Sequence, residues 1–338
     1  MPTFGNFLHT QLVLKIPKPT TSFASKTVII TGASSGIGKE AARHIVRLGA
    51  SKVILGCRNI TKGDRAKREI ESSLGCSQKI IEVWEVDIES PESIKKFVDR
   101  VNYLSRLDVV INNAGLALLH NKYQVPYGTE RNVAVNVIGT FLLALQLIPK
   151  LKQTATLHGV TPHMTFTSSA LYDVAKYPEH QGENIFTWMS DKSHVDMMNQ
   201  YNLSKLLLLH AIIKLSSIVD PVTSDKSRES SSIVINSLDP CFCKTQLGRD
   251  ISGMLKVATA VFAFLFARTA EEGSRLVVKT ASAGRETHGG YMRGGALKEY
   301  APFVTNEDGV KKTNRVWEDL CTKLEQLQPG ILENLNAV

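Results

Sequence analysis

The chain has 338 residues, 43% hydrophobic and 21% charged. It can bury a full core without staples, and its composition excludes a disordered, collagen-like or coiled-coil protein. Forty Lys and Arg against 32 Asp and Glu give a net charge of +8. That charge is spread without a long basic run, which points away from nucleic acid and toward a solvated surface or a phosphate-bearing ligand. Five scattered cysteines exclude a disulfide scaffold and predict free thiols in a reducing compartment.

Residues 1–25 lack the basic segment, apolar run and small-residue cleavage site of a signal peptide, and read as an N-terminal extension. Thr27–Thr31 (TVIIT) then predicts a buried strand, and Gly36–Leu48 a helix ended by Gly49. Lys52–Cys57 predicts a second strand and Thr61–Leu74 an amphipathic helix ended by Gly75. Ile80–Val86 is a third strand, Pro91–Leu104 a third helix and Leu107–Asn112 a fourth strand. A long helix over Glu130–Leu151 leads to a strand at His163–Ser168. An apolar helix over Tyr201–Leu215 precedes a sixth strand at Ser232–Ser237. Alternation of non-alternating apolar strands with helices predicts α/β architecture: one doubly wound parallel sheet, a Rossmann fold, in a single domain over 1–338.

Two more segments stand out. The stretch 251–268 contains Met254–Ala267 (MLKVATAVFAFLFA), too short to span a bilayer. It predicts a buried helix or a lid over a greasy pocket, with a helix lying in a membrane interface as the alternative. With free thiols and no signal-peptide pattern, the expected location is the cytoplasm, peripheral to a membrane under the interfacial reading. Residues 306–338 form a C-terminal helical extension.

Thr31–Gly38 (TGASSGIG) follows a strand and opens a helix, the context of a dinucleotide-binding loop. Gly32 permits a tight turn, Gly36 lets backbone approach a pyrophosphate, and Gly38 allows close helix–strand packing. Ser34 and Ile37 complete the cradle, and the helix N-terminus offers N–H groups to phosphates. An acid ending the second strand would hold a ribose 2′-hydroxyl. Here the strand ends at Cys57 and Arg58, and a guanidinium suits a 2′-phosphate. Lys39 adds a second cation, so the expected cofactor is NADP(H).

Further motifs follow in order. Asp87 stands after the third strand, Asn112-Asn113-Ala114-Gly115 ends the fourth, and Asn136 lies within VNVIG. Ser169 lies in FTSSA, Tyr201 and Lys205 form Tyr-x-x-x-Lys, and Pro240 to Thr245 reads PCFCKT. With the glycine loop, these resemble the short-chain dehydrogenase/reductase family over about Thr27 to Met292. The Ser22-Phe23-Ala24 lead-in and the Gln326–Pro329 stretch look closest to a fungal branch similar to retinol dehydrogenases. The resemblance implies that Asp87 contacts the adenine, that Asn113 supports sheet and cofactor, and that Thr245 belongs to the segment gripping the nicotinamide. It implies a tetrad of Asn136, Ser169, Tyr201 and Lys205.

The chemistry is coherent. Tyr and Lys four apart share a helix face, and an ammonium beside the phenol lowers its pKa. Tyr201 could then exchange a proton with a substrate oxygen while Ser169 hydrogen-bonds that oxygen. The resemblance further implies that Asn136 holds a water linking Lys205 to solvent. This predicts an NADP-dependent enzyme interconverting a carbonyl and an alcohol on a hydrophobic small molecule, such as a lipid or a secondary metabolite. The alternatives are a cofactor-binding scaffold or regulator, and a non-redox isomerase or cyclase. Cys241, where the family has glycine, motivates the scaffold reading; a second departure, the inserted loop and helix over Leu171–Gln200, would narrow the pocket or oppose dimerisation through the family's long helices. No metal site is expected, because Cys241-x-Cys243 has no second ligand pair and no HExxH occurs.

Overall fold

The computed structural model describes residues 4–118, 123–180, 182–219, 233–245 and 253–336. Eight strands form one sheet: β1 (Thr27–Thr31), β2 (Lys52–Cys57), β3 (Ile81–Glu85), β4 (Val109–Asn112), β5 (His163–Thr167), β6 (Val234–Asp239), β7 (Tyr291–Arg293) and β8 (Ala296–Lys298). Their spatial order is β3-β2-β1-β4-β5-β6-β7-β8. The first seven run parallel, and β8 pairs antiparallel with β7. The order reverses beside β1, between β1 and β4, the place where ligands bind in doubly wound sheets.

Successive strand residues face opposite layers, as pleating requires. Ile29, Ile54 and Val110 join one apolar cluster. Val28, Ile30, Val53, Leu55, Val109 and Ile111 join the other. Helices cover both faces: α1 (Gly36–Arg47), α2 (Ile60–Leu74), α3 (Pro91–Asn102), α4 (Arg131–His158), α5 (Met197–Val219), α6 (Gly253–Phe266), α7 (Ala270–Thr280) and α8 (Glu307–Leu327). Both α4 and α5 are apolar enough to pass a test of length and composition for a bilayer span. Their apolar windows are 94% and 67% buried, so they are core helices of the sheet sandwich.

Six predicted strands are present, β1 and β2 with the expected ends and the other four within two residues of them; Ser232 lies outside the described residues. The structure adds β7, β8 and α7. Residues 171–200 fold as short turns of helix at Ala170–Val174, Ile185–Trp188 and Lys192–His194. This insertion docks on the C-terminal helix: Asp319 accepts from Ile185 N at 2.9 Å, and Asn184 Nδ2 donates to Asp319 O at 2.9 Å. Helix α8 is integral, since Val316, Trp317, Leu320 and Leu324 belong to the larger core cluster. The expectation of a buried helix over Met254–Ala267 is corrected. Val261, Phe262, Phe264 and Leu265 of α6 are exposed: the face bearing Phe262 and Phe266 meets Phe7 of the N-terminal segment, and Val261, Phe264 and Leu265 lie off that face.

Candidate active site

The glycine loop joins β1 to α1 at the switch point. Gly32 and Gly36 adopt φ of 66° and 57°, the left-handed region glycine enters without penalty. A Cβ on Gly32 would stand 2.9 Å from Ala114 Cα, so the loop lies against the chain after β4. Thr31 Oγ1 accepts from Asn113 N at 3.0 Å and Ala114 N at 2.9 Å, and Asn113 Nδ2 donates to Thr31 O at 3.0 Å. Asn113 therefore braces the loop from beneath. Ser35 is the N-cap of α1 but its side chain caps nothing, leaving that helix end open to an anionic ligand. Ser34 and Ile37 flank this turn. The Cys57 thiol, hydrogen-bonded to Ala33 and Ser34, is pushed up to about 12 by burial. Thr245 lies across the loop, its Cβ 3.6 Å from where a Gly36 Cβ would stand.

The two cations predicted for a 2′-phosphate are placed differently. Arg58 follows β2, half exposed, and pairs with Glu89 at 3.1 Å. Glu89 is itself fixed by two hydrogen bonds from Arg131 at 2.5 and 2.9 Å. Lys39 is already engaged by Glu69 at 2.9 Å and Glu40 at 3.6 Å. Asp87 sits just beyond β3 and spends Oδ1 on Glu89 N at 3.0 Å.

The tetrad residues converge beyond β4, β5 and β6. Tyr201 is buried on α5 and hydrogen-bonds Ser169. Ser169, at the start of the Ala170–Val174 turn, also accepts from Leu171 N at 3.2 Å. The neighbouring Ser168 Oγ is buried without a partner among the described residues, so Ser169 is the serine facing the phenol. Lys205 Nζ donates to Thr167 O at 2.9 Å and lies 5.7 Å from the Tyr201 ring centre. Asn136 sits in a π-helical stretch of α4, Ala134–Gly139, the irregularity often found where a helix presents a functional side chain. Its Nδ2 donates to Leu116 O and Ser204 Oγ, both at 2.9 Å, and its Oδ1 accepts from Leu116 N at 2.9 Å. Ser204 Oγ donates to Tyr201 O at 2.7 Å, so Asn136 reaches the helix that carries Tyr201 and Lys205.

The expected sign of the tyrosine shift is corrected. Burial raises Tyr201 to about 12, the Ser169 hydrogen bond opposes that rise, and the Asp239 carboxylate adds to it. Burial also depresses Lys205 to about 8. Desolvation is the largest cause of both shifts.

Spacing alone did not reveal Asp239, the last residue of β6. Its carboxylate is buried, held by the backbone N–H groups of Ala170 and Cys241 and by the positive charge of Arg293. Arg293 Nε lies 4.0 Å from Asp239, and its Nη1 lies 3.0 Å from Asp173 on the serine turn. The cluster ties the Ser169 segment to the Pro240 segment. Cys241 adopts φ of 67°, which explains why glycine suits the position; its side chain joins the apolar cluster of Leu238 and Leu276. All five cysteines are free. Met198, near the start of α5, is exposed.

A family model described as short chain dehydrogenase matches residues 26–161. A short chain dehydrogenase/reductase of Cryptosporiopsis sp. is 38% identical over 333 residues, covering 97% of this chain and 99% of that protein. Among solved structures, a 3-ketoacyl-(acyl-carrier-protein) reductase from Brucella melitensis complexed with NADH superposes with a TM-score of 0.58. It shares 19% identity and covers 80% of this chain and 97% of its own. A short chain dehydrogenase from Shigella flexneri complexed with NADP gives a TM-score of 0.56 at 20% identity, covering 82% and 100%.

Proposed function

The chain belongs to the short-chain dehydrogenase/reductase family, and on that premise we propose that it is an NADP(H)-dependent oxidoreductase interconverting a carbonyl and an alcohol on a hydrophobic small molecule, within fungal secondary metabolism. One observation carries the reading: the Tyr201 phenol, hydrogen-bonded to Ser169, shares its helix with Lys205 beyond the same sheet edge as an open glycine-loop helix end.

The fit to a dinucleotide rests on that loop, where Gly32, Gly36 and Gly38 leave no Cβ and Ser35 leaves the helix end uncapped. Ser34, Ile37, Asn113 and Thr245 surround it. When bound, the nicotinamide supplies or accepts the hydride. Tyr201 delivers its proton to the carbonyl oxygen, and Ser169 donates a hydrogen bond to the charge developing there. A phenol with a pKa raised to about 12 holds its proton at neutral pH, the form that reduction needs. Lys205 and Asn136 hold the route by which Tyr201 is reprotonated.

The test is NADPH consumption by the purified protein with a panel of ketones and aldehydes, products weighed by mass spectrometry. Gain of two hydrogens supports the reading, whereas an unchanged substrate mass in a converted product identifies an isomerase or cyclase. Failure to bind either phosphate-bearing cofactor overturns it.

Cofactor choice has its own test. A charge-assisted contact contributes about 1.5–3 kcal/mol. Arg58 must exchange Glu89 for the phosphate and is half exposed, so the lower end applies, about tenfold. Arg58→Asp is expected to lower the NADPH-over-NADH preference, read as the ratio of dissociation constants, by about that factor. Lys39→Ala should do less, because two carboxylates already hold that ammonium. An unchanged ratio in Arg58→Asp removes the physical support for NADP(H).

A second expectation concerns pH. The Asp239 charge disfavours the Tyr201 phenolate, so removing it lowers the phenol pKa. In the direction of alcohol oxidation, which needs the phenolate, Asp239→Asn should move the rising limb of kcat/KM to lower pH by roughly one unit. A limb that stays in place, or moves upward, contradicts the electrostatic role.

A further inference from the structure

We propose that α6 and the N-terminal segment together form a face that docks the protein on an anionic lipid bilayer. Phe264 is 76% exposed and Leu265 56%, and Val261 and Phe262 are exposed beside them. On the N-terminal segment, Leu12 and Val13 are 59% and 64% exposed. The two pieces are joined. Phe7 stacks on Phe262 at 5.8 Å between ring centres and meets Phe266 at 6.2 Å. Phe242 closes on Phe262 at 5.6 Å. Arg268, at the end of α6, donates through Nη2 to Thr10 O at 2.7 Å and also reaches Leu14 O. A chain that spends a buried guanidinium to hold its N-terminal segment here, yet leaves these side chains in water, has built an apolar face.

Charge identifies the occupant. Lys15, Lys18 and Lys244 are exposed, and Lys244 Nζ lies 5.4 Å from the Phe264 ring. Residues 1–39 contain no Asp or Glu, and residues 240–270 contain only Asp250. An aromatic and aliphatic face bordered by lysines matches a monolayer with negative headgroups and an apolar interior. A second copy of the chain matches it poorly. In a two-fold interface the same patch meets itself, setting lysines against lysines without carboxylates to receive them.

The test is flotation of the full-length protein with vesicles of phosphatidylcholine containing about a third phosphatidylglycerol, against phosphatidylcholine alone. Binding is expected to the anionic vesicles and to weaken as salt rises from about 0.1 to 0.5 M. The double variant Phe264→Glu, Leu265→Glu should lower partition by roughly tenfold or more, while its melting temperature stays that of the parent. Both substituted side chains face solvent, so folding should survive. Lys244→Glu offers a milder probe and should weaken only the anionic component. The proposal is overturned if the parent does not float, if the double variant floats equally, or if the parent is a dimer that the double variant dissociates without vesicle binding.

Discussion

Replacing Tyr201 with phenylalanine is expected to lower kcat for carbonyl reduction by roughly 10²- to 10⁴-fold, the range spanned by loss of a positioned proton donor. The ring stays in its buried site on α5, so packing should change little. What disappears is the hydroxyl that bonds Ser169. Loss of one neutral hydrogen bond costs about 1 kcal/mol, a fall of a few degrees in melting temperature for a domain of this size. NADPH affinity should stay within about threefold, because the phosphate cradle lies on another part of the chain. Activity surviving above about a tenth of the parent would move the proton donor elsewhere.

Gly38→Ala is expected to weaken NADPH by roughly 100-fold, the scale of a misplacement near 1 Å. Its Cβ would stand 2.7 Å from Gly32 O, 2.6 Å from Asn113 Nδ2 and 3.2 Å from Ala33 Cα. Two of these are backbone, and the third is pinned by its bond to Thr31 O at 3.0 Å. None can step aside, so the loop itself must shift and lose its fit to a pyrophosphate. The same overpacking should destabilise the fold by about 1–3 kcal/mol. Fluorescence titration with NADPH measures the first effect and thermal unfolding the second. A dissociation constant within about threefold of the parent would show that the loop has slack the geometry denies it.

Local chemistry was legible because it is written in adjacent residues. The glycine loop, the helix-spaced Tyr201 and Lys205, and the strand-ending Asn113 each announce themselves within a few positions. The six long strands were legible for the same reason, as unbroken apolar runs. Strands β7 and β8 have three residues each, too short for a period to speak. The insertion looked like a pocket wall, and its docking on α8 through Asp319 joins residues about 130 positions apart. Asp239, Arg293 and Asp173 meet only after the sheet has formed. The direction of the Tyr201 shift depends on how deeply two groups are buried, a quantity that spacing does not carry. Arg58 stands just beyond β2, and its partner Glu89 lies on a different loop that no local pattern links to it.

The β7–β8 hairpin has a bearing on how the protein behaves in concentrated solution and during synthesis. Without β8, the parallel sheet would end in β7 with a row of unpaired N–H and C=O groups, a template for strand addition by another molecule. The hairpin turns through Gly294 and Gly295, both at positive φ, and lays three exposed residues ending in Lys298 along that row. The outermost ladder is then very short and carries a charge. Both properties discourage edge-to-edge aggregation, which seven parallel strands joined by long crossovers would otherwise invite while the core is still assembling.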